Sequence, residues 1–339
     1  MENKAELKKM LQKRNFYTIK DSGKVYLYAL LLPLAVGLIF SYISIAIAQN
    51  MGVVFDENAN VIAELFNNYF WFSIPYMLIS QLVFVCLYLA YHKANRIEYS
   101  ASRVEFKKTN VWTALLSALT GIVCVLGFLL LIEVCFGKMF EVWGLEPNTL
   151  GLPLDTIGWY FANLLILGVV PAICEELLFR GVIFQGIKEK FSGVVSILIS
   201  GLLFALIHQS VQQFIYPFIL GCLLSFVFEK TNNLIYPILI HMFNNFATIT
   251  LSYLVNVGVV SLNFAVTWWV VLIAIAIAAV AVLILWLIYN FYLKKKDKIE
   301  FEKKGELVQS PSINVGKMPL LLVIGIILSL IMIVINAIG

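Results

Sequence analysis

The sequence PAICEELLFRGVIFQGI, Pro171–Ile187, places two adjacent glutamates and an arginine in a chain that is otherwise largely apolar. Of the 339 residues, 61% are hydrophobic and 13% are charged, and the mean hydropathy is +0.91. This composition is typical of an integral membrane protein and excludes an ordinary soluble domain. The charged side chains therefore need a physical reason, because an ionised group inside a bilayer is costly.

The long apolar stretches predict the architecture. They lack the alternation of apolar and polar residues found in barrel strands, so we predict helices. We expect an all-α integral membrane protein, a polytopic bundle of about eight to nine transmembrane helices with a motif-bearing central core. The predicted spans are 25–49, 69–91, 111–136, 156–174, 193–209, 213–229, 234–254, 265–293 and 318–338. The amphipathic segment Glu175–Lys190 is expected either to extend the fourth span or to form a short helix of its own.

Basic residues in the loops predict the orientation. The amino-terminal segment, the loop 92–110 and the segment 294–317 are rich in lysine and arginine, whereas 50–68 contains acidic residues and no basic one. If the predicted spans alternate, the three basic regions fall on one side. We predict a multi-pass protein of the cell membrane with a cytoplasmic amino terminus and an external carboxyl terminus.

We divide the chain into four segments by these features. Residues 1–24 are a cytoplasmic amino-terminal segment, and residues 25–155 contain the amino-terminal transmembrane helices. Residues 156–254 are a transmembrane core that contains the chemistry-bearing residues. Residues 255–339 contain trailing transmembrane helices and a basic cytoplasmic linker.

Ionisable and amide side chains are concentrated in this core. They are Glu175, Glu176, Arg180, His208, His241, Asn244 and Asn245. Glu176 and Arg180 are four residues apart, so they share a helix face and can form an ion pair. Glu175 points about a hundred degrees away and is left without a partner in its own helix. The alternative is that both glutamates simply lie at a membrane boundary beside Arg180.

The histidines of the core lie on two further predicted helices. His241 and Asn245 are four residues apart and project from one helix face, and Phe204 and His208 repeat this spacing. Short loops make the successive segments neighbours, so we expect these residues to form one site. His92, by contrast, lies beside Lys93 at a predicted membrane edge and is expected to be solvated.

This set of side chains is suited to amide hydrolysis without a serine or cysteine nucleophile. A carboxylate next to an imidazole can take a proton from a water that attacks a carbonyl carbon. A second imidazole with a carboxamide can stabilise the resulting oxyanion. The same residues can instead bind zinc through Glu175, His208 and His241, with the metal activating the water. No HExxH motif is present to decide between them.

Three motifs, EELLFR at 175–180, FALIH at 204–208 and HMFNN at 241–245, fit the patterns EExxxR, FxxxH and HxxxN in that order. Together they resemble the motifs of the CAAX prenyl protease type II family, also called the Abi or CPBP family. The resemblance covers about residues 160–254. It implies that water is activated by Glu175 and His208. It also implies that the oxyanion hole is lined by His241 and Asn245, and that the supporting residues are Glu176, Arg180 and Phe204.

The resemblance further implies an intramembrane endopeptidase whose partners are the lipid bilayer and a membrane-embedded or membrane-associated peptide. Bacterial peptide maturation or bacteriocin immunity is the expected setting, and whether the substrate is prenylated stays open. A glutamate-dependent and a metal-dependent mechanism are both argued for this family. We expect no required cofactor, with zinc as the alternative, and no nucleic-acid partner. The rival interpretations are a membrane transporter, and a non-catalytic immunity or scaffold protein that uses the same polar cluster.

Overall fold

The computed structural model describes residues 13–55, 61–129, 153–260 and 319–338, together with helical positions 272–273, 275–277, 279–280, 283–284 and 286–287. Within these residues the chain is helical and has no β-sheet, apart from one isolated β-bridge between Arg14 and Ile97. The prediction of an all-α membrane bundle is confirmed.

The helices follow one another in a simple order along the chain. They are α1 (Ile19–Asn50), α2 (Val61–Asn68), α3 (Phe70–Ala94), α4 (Val111–Cys124), α5 (Ile157–Ile187), α6 (Gly193–Leu206), α7 (Ile215–Thr231), α8 (Ile235–Asn256) and α9 (Leu320–Ile338). A π-helical turn at Val125–Leu129 extends α4. Two short 3-10 helices, Tyr99–Ser102 and Phe106–Lys108, lie between α3 and α4.

Four of the described helices, α1, α3, α5 and α8, are long and apolar enough to cross a membrane. The bent pair Tyr99–Lys108 and Val111–Gly127 gives a fifth span if its two parts, which meet at 109°, are counted as one. The helix α6 and Leu320–Asn336 of α9 are shorter apolar helices. The multi-pass character is therefore confirmed, whereas the total number of spans and the orientation stay predictions. Most of the predicted span 265–293 and the basic linker lie outside the described residues.

The helix α5 carries the two glutamates and runs without a break for 31 residues. The amphipathic segment therefore extends the fourth predicted span. Two π-helical turns, Leu164–Val169 and Phe179–Phe184, interrupt the α-helical hydrogen bonding on either side of the glutamates. Pro171 lies between these two turns and removes one N–H from the helix. Such π-turns are frequent at functional sites.

Glycines let the core helices approach one another closely. A Cβ added at Gly121 of α4 would lie 2.3 Å from the Ile240 carbonyl oxygen and 2.8 Å from the Asn244 nitrogen in α8. A Cβ added at Gly221 of α7 would lie 2.9 Å from Cα of Gly201 in α6. Small residues at such crossings are typical of membrane helices, because they allow backbones to touch. The backbones of α4 and α8, and of α6 and α7, are thereby in direct contact.

The start of α1 is attached to the end of α5. The backbone N–H of Ile19 donates to Glu189 Oε2 at 2.6 Å. The Ser22 hydroxyl donates to the Ile183 carbonyl oxygen at 2.7 Å. The helix that bears the glutamates is therefore held at its carboxyl-terminal end by the amino-terminal helix.

His92 is buried, so the expectation of a solvated residue was wrong. It is 1% exposed, and its Nδ1 lies 2.8 Å from the Tyr88 carbonyl oxygen. Its Nε2 lies 2.7 Å from the hydroxyl of Tyr17, which is itself 2.7 Å from Ser102 Oγ. Burial raises the pKa of Tyr17, so this hydroxyl stays neutral. The segment before α1 pairs with the α3–α4 loop through the backbone of Arg14, and this pairing covers the histidine.

Candidate active site

A buried ion pair forms the centre of the site. Glu176 and Arg180 are both 0% exposed, and Arg180 Nη1 donates to Glu176 Oε1 at 2.7 Å. The pairing predicted from the four-residue spacing is therefore present. His241 of α8 approaches the same carboxylate oxygen, with its Nδ1 at 3.0 Å. Arg180 Nη2 donates to the carbonyl oxygen of Gly221 in α7 at 2.8 Å. The cluster thus joins α5, α7 and α8.

Phe204 of α6 packs against this cluster. The guanidinium carbon of Arg180 lies 4.5 Å from the centroid of the phenyl ring. The imidazoles of His208 and His241 make edge contacts with the same ring, at centroid separations of 5.2 and 5.6 Å. The predicted contact between Phe204 and His208 is confirmed. A cation over a desolvated aromatic face is attracted to it, and this attraction holds the Arg180 guanidinium. The same phenyl ring thus contacts three side chains of the site.

Both core histidines are held through Nδ1. The Nδ1 of His208 lies 2.8 Å from the carbonyl oxygen of Phe204, and the Nδ1 of His241 contacts Glu176. Carbonyl and carboxylate oxygens accept hydrogen bonds, so we assign the hydrogen to Nδ1 in each ring. This assignment leaves both Nε2 atoms for water, substrate or a metal.

Glu175 differs from Glu176 in both exposure and partner. It is partly exposed, and Gln81 Nε2 of α3 donates to its Oε1 at 3.3 Å. The imidazole of His208 lies within electrostatic reach of this carboxylate and of His241. A simple boundary position does not explain the arrangement, because the neighbouring ion pair is enclosed by protein. Of the two glutamates, Glu175 is therefore the one whose surface is accessible from outside the protein.

A row of hydrogen bonds fixes the orientation of Asn245. The hydroxyl of Tyr216 donates to Asn244 Oδ1. Asn244 Nδ2 donates to Asn245 Oδ1 at 3.2 Å, and Asn245 Nδ2 donates to the Leu167 carbonyl oxygen at 3.1 Å. Pro171, four residues after Leu167, has no N–H, so the α-helical donor to this carbonyl is missing and the Asn245 amide binds there instead. Within the described part of the chain, the second N–H of Asn245 makes no hydrogen bond.

The residues predicted from the motifs lie on three helices that meet at one place, α5, α6 and α8. Their catalytic roles stay predictions, because contacts alone do not show a reaction. Sequence reasoning missed several partners, among them the amide of Gln81 and the carbonyl of Gly221. The first had a readable signal, since an amide within a predicted span requires a partner. The second had none, because every residue has a backbone carbonyl.

The geometry also bears on the zinc alternative. The two Nε2 atoms are chemically suited to zinc, and histidine ligands commonly donate their other N–H to an oxygen acceptor. Among the described residues, however, no three His, Cys, Asp or Glu side chains are arranged so that they could hold a metal ion. The positions of Glu175, His208 and His241 therefore do not fit a metal centre in this structure, and we derive no step through one. The expectation that no cofactor is required stays a prediction.

Residues 157–247 match the family described as type II CAAX prenyl endopeptidase Rce1-like. These residues form an Rce1-like domain. The Rce1-like domain begins at the first residue of α5 and ends within α8, so it contains every site residue predicted from the motifs. This match confirms the resemblance inferred from the motifs and supports an intramembrane protease. No curated protein and no solved structure matches the chain.

Proposed function

We propose that the protein is an intramembrane endopeptidase in which Glu175 and His208 activate a water that attacks a peptide bond. The observation that carries this proposal is the contrast between the adjacent glutamates. Glu176 is fully buried and neutralised by Arg180, whereas Glu175 is partly exposed and near an imidazole with a free Nε2. One carboxylate is thus structural, and the other is available for proton transfer.

The first step is the attack of water on the scissile carbonyl carbon. The Glu175 carboxylate accepts a proton from the water while the new carbon–oxygen bond forms, and His208 Nε2 helps to orient the water. The carbonyl oxygen becomes negatively charged in the tetrahedral intermediate. No residue of the protein becomes covalently attached to the substrate.

The oxyanion is stabilised by Asn245 and His241. Asn245 has one N–H left after its bond to Leu167, and its orientation is fixed by Asn244. His241 donates from Nε2 when both of its ring nitrogens carry hydrogen, and the Glu176 carboxylate then pairs with the imidazolium. Fixed donors of this kind are most effective in a site that excludes bulk water.

The intermediate breaks down when the carbon–nitrogen bond cleaves. The proton held by Glu175 is transferred to the leaving nitrogen, which departs as an amine, and the other product is a carboxylic acid. The base then returns to its ionised form. General acid–base catalysis by a positioned side chain typically increases the rate by ~10²–10⁴-fold.

The substrate proposed is a peptide or protein segment in or at the membrane. The family match names a prenyl endopeptidase, so a farnesylated CAAX peptide is a suitable first probe. Bacterial peptide maturation and bacteriocin immunity are the settings that we expect from the motif resemblance.

The proposal is tested by comparing the membrane and secreted peptides of the native host carrying wild type, Glu175→Gln or Glu98→Gln at equal abundance. Glu98 is an exposed residue of the α3–α4 loop and serves as the matched control. New peptide termini with wild type and Glu98→Gln, absent with Glu175→Gln, would establish proteolysis. Identical peptide profiles with folded protein would refute it and favour the transporter or scaffold interpretation.

A second measurement separates the two hydrolytic mechanisms. The purified full chain in nanodiscs is dialysed against a strong zinc chelator and assayed with a quenched farnesylated CAAX peptide. We expect cleavage to persist. Loss of cleavage that added zinc restores would instead establish the metal-dependent alternative.

A further inference from the structure

The helix α3 contributes a side chain to the site from outside the Rce1-like domain. It packs against the α-helical piece of α5 that carries the glutamates. Gln81, near the middle of α3, donates from Nε2 to Glu175 Oε1 at 3.3 Å. Its neighbour Ser80 bonds to its own helix, through the Met77 carbonyl oxygen at 2.7 Å. Gln81 is therefore the member of this polar pair that reaches across to the candidate base.

The other end of the same amide is unsatisfied. Gln81 Oε1 is buried and has no hydrogen-bond partner within the described residues. Leaving a buried polar atom unpaired destabilises a protein, so such an atom calls for an explanation. An unpaired atom of this kind, on a side chain whose other end binds Glu175, indicates a role beyond filling space.

The two adjacent glutamates are held by donors of different charge. Arg180 is a cation and neutralises Glu176 through a 2.7 Å ion pair. Gln81 is uncharged and holds Glu175 without neutralising it. A neutral donor can orient the carboxylate without adding a positive charge beside it. The hydrogen bond from Gln81 engages only Oε1 of Glu175.

We propose that Gln81 is a positioning residue that fixes the Glu175 carboxylate for water activation. The proposal rests on the proposed function of Glu175 as the base. Other ionisable groups surround this carboxylate. They are Cys174, Glu176 and Arg180 on its own helix and His208 on α6, with His241 of α8 beside Glu176. The contribution of Gln81 is geometric, because it adds no charge to this set.

The contact is tested first by infrared spectroscopy of the full chain in nanodiscs at one fixed pH. The carboxyl band of Glu175 is the band that disappears in Glu175→Gln. Gln81→Met keeps the length of the side chain and removes the donor, so we expect this band to shift. Ser80→Ala removes a hydroxyl that is bonded within α3 and should leave the band in place. An unchanged band in Gln81→Met would overturn the proposal.

The consequence for catalysis is measured with the quenched farnesylated CAAX peptide. A hydrogen bond to a charged group is worth enough to lower kcat by ~10- to 100-fold in Gln81→Met. KM should stay within about twofold, because Gln81 contacts the base and not the peptide. Unchanged kcat, or a loss confined to KM, would overturn the proposal. If Gln81 only filled space, the methionine would replace it and kcat would not change.

Two further outcomes are decided by the same design. If Gln81→Met does not fold, Gln81→Asn takes its place, because it keeps the amide but withdraws it by one methylene; the same band shift and kcat loss are expected. If wild type cleaves no peptide in this assay or in the host, the proposed function fails. The infrared band then still decides whether Gln81 fixes the carboxylate.

Discussion

Breaking the buried ion pair should separate the stability of the protein from its activity. Glu176→Gln leaves the Arg180 guanidinium as an uncompensated buried charge. Arg180→Met leaves the Glu176 carboxylate as an uncompensated buried charge. The double variant contains neither charge. We expect both single variants to be strongly destabilised and the double variant to regain most of the lost stability.

The magnitude follows from the contacts of the arginine. Arg180 makes two short hydrogen bonds, at 2.7 Å to Glu176 and at 2.8 Å to Gly221. At ~1.5–3 kcal/mol for each bond to a charged group, Arg180→Met loses ~3–6 kcal/mol. Glu176→Gln keeps the bond to Gly221, and its cost comes mainly from the unpaired guanidinium, which the double variant no longer contains. This range agrees with the ~3–5 kcal/mol typical of a buried pair that loses one partner. In the described part of the chain, Glu176 Oε2 and Arg180 Nε are buried without partners, so uncharged replacement of both should be tolerated.

Activity should not recover with stability. His241 Nδ1 shares the Glu176 oxygen at 3.0 Å, so the double variant still lacks the anion that supports an imidazolium. We expect its kcat to remain ~10-fold or more below wild type.

The assay is the free energy of unfolding in mixed micelles, together with cleavage of the quenched peptide. The matched control is Lys108→Met, which breaks an exposed ion pair with Glu105 at 3.0 Å and should cost less than ~1 kcal/mol. Single variants at Glu176 or Arg180 that lose no more stability than this control would refute the reasoning. Full recovery of kcat in the double variant would refute the role assigned to the carboxylate.

Three further predictions test the surroundings of the site. Tyr216→Phe removes the donor to Asn244 and should lower kcat by ~10-fold through a looser oxyanion donor, whereas unchanged kcat would contradict the hydrogen-bonded row. Gly121→Ala should destabilise the protein by ~1–3 kcal/mol in a micelle unfolding assay, because it forces α4 away from α8. Gly158→Ala, where a Cβ would meet an atom only at 3.9 Å, should cost nothing, and equal effects would refute this packing. Lys108→Cys in a cysteine-free chain should react with an impermeant maleimide that is added on the cytoplasmic side. Labelling from outside the cell would contradict the predicted cytoplasmic location of this loop.

The helices and their short-range pairs could be predicted because their causes are local. A long apolar stretch must form a helix in lipid to satisfy its backbone. Residues four apart then share a face, which is why Glu176 with Arg180 and Phe204 with His208 could be paired from their numbers alone. Whether α5 is continuous could not be predicted. Hydropathy does not show where π-turns form or whether a helix continues past Pro171.

Contacts between helices could not be read in this way. They depend on the crossing angle and axial shift of each helix pair, which periodicity does not encode. The bond from Gln81 to Glu175 requires α3 to lie at one particular height beside α5. The burial of His92 requires Tyr17, before α1, to pack against a histidine that lies 75 residues later in the chain. The neighbouring Lys93 indicated a solvated position at the membrane edge, but tertiary packing buries the imidazole.

The route of the chain through the site has a consequence for biosynthesis. The proposed base is on α5, its neutral partner is on α3, and the proposed oxyanion donors are on α8, so the contacts of the site involve residues 81 to 245. A ribosome releases these segments in order. The nascent protein therefore lacks part of the proposed site until Asn245 has emerged, and we expect it to be inactive towards its own chain and its neighbours while the earlier helices enter the membrane.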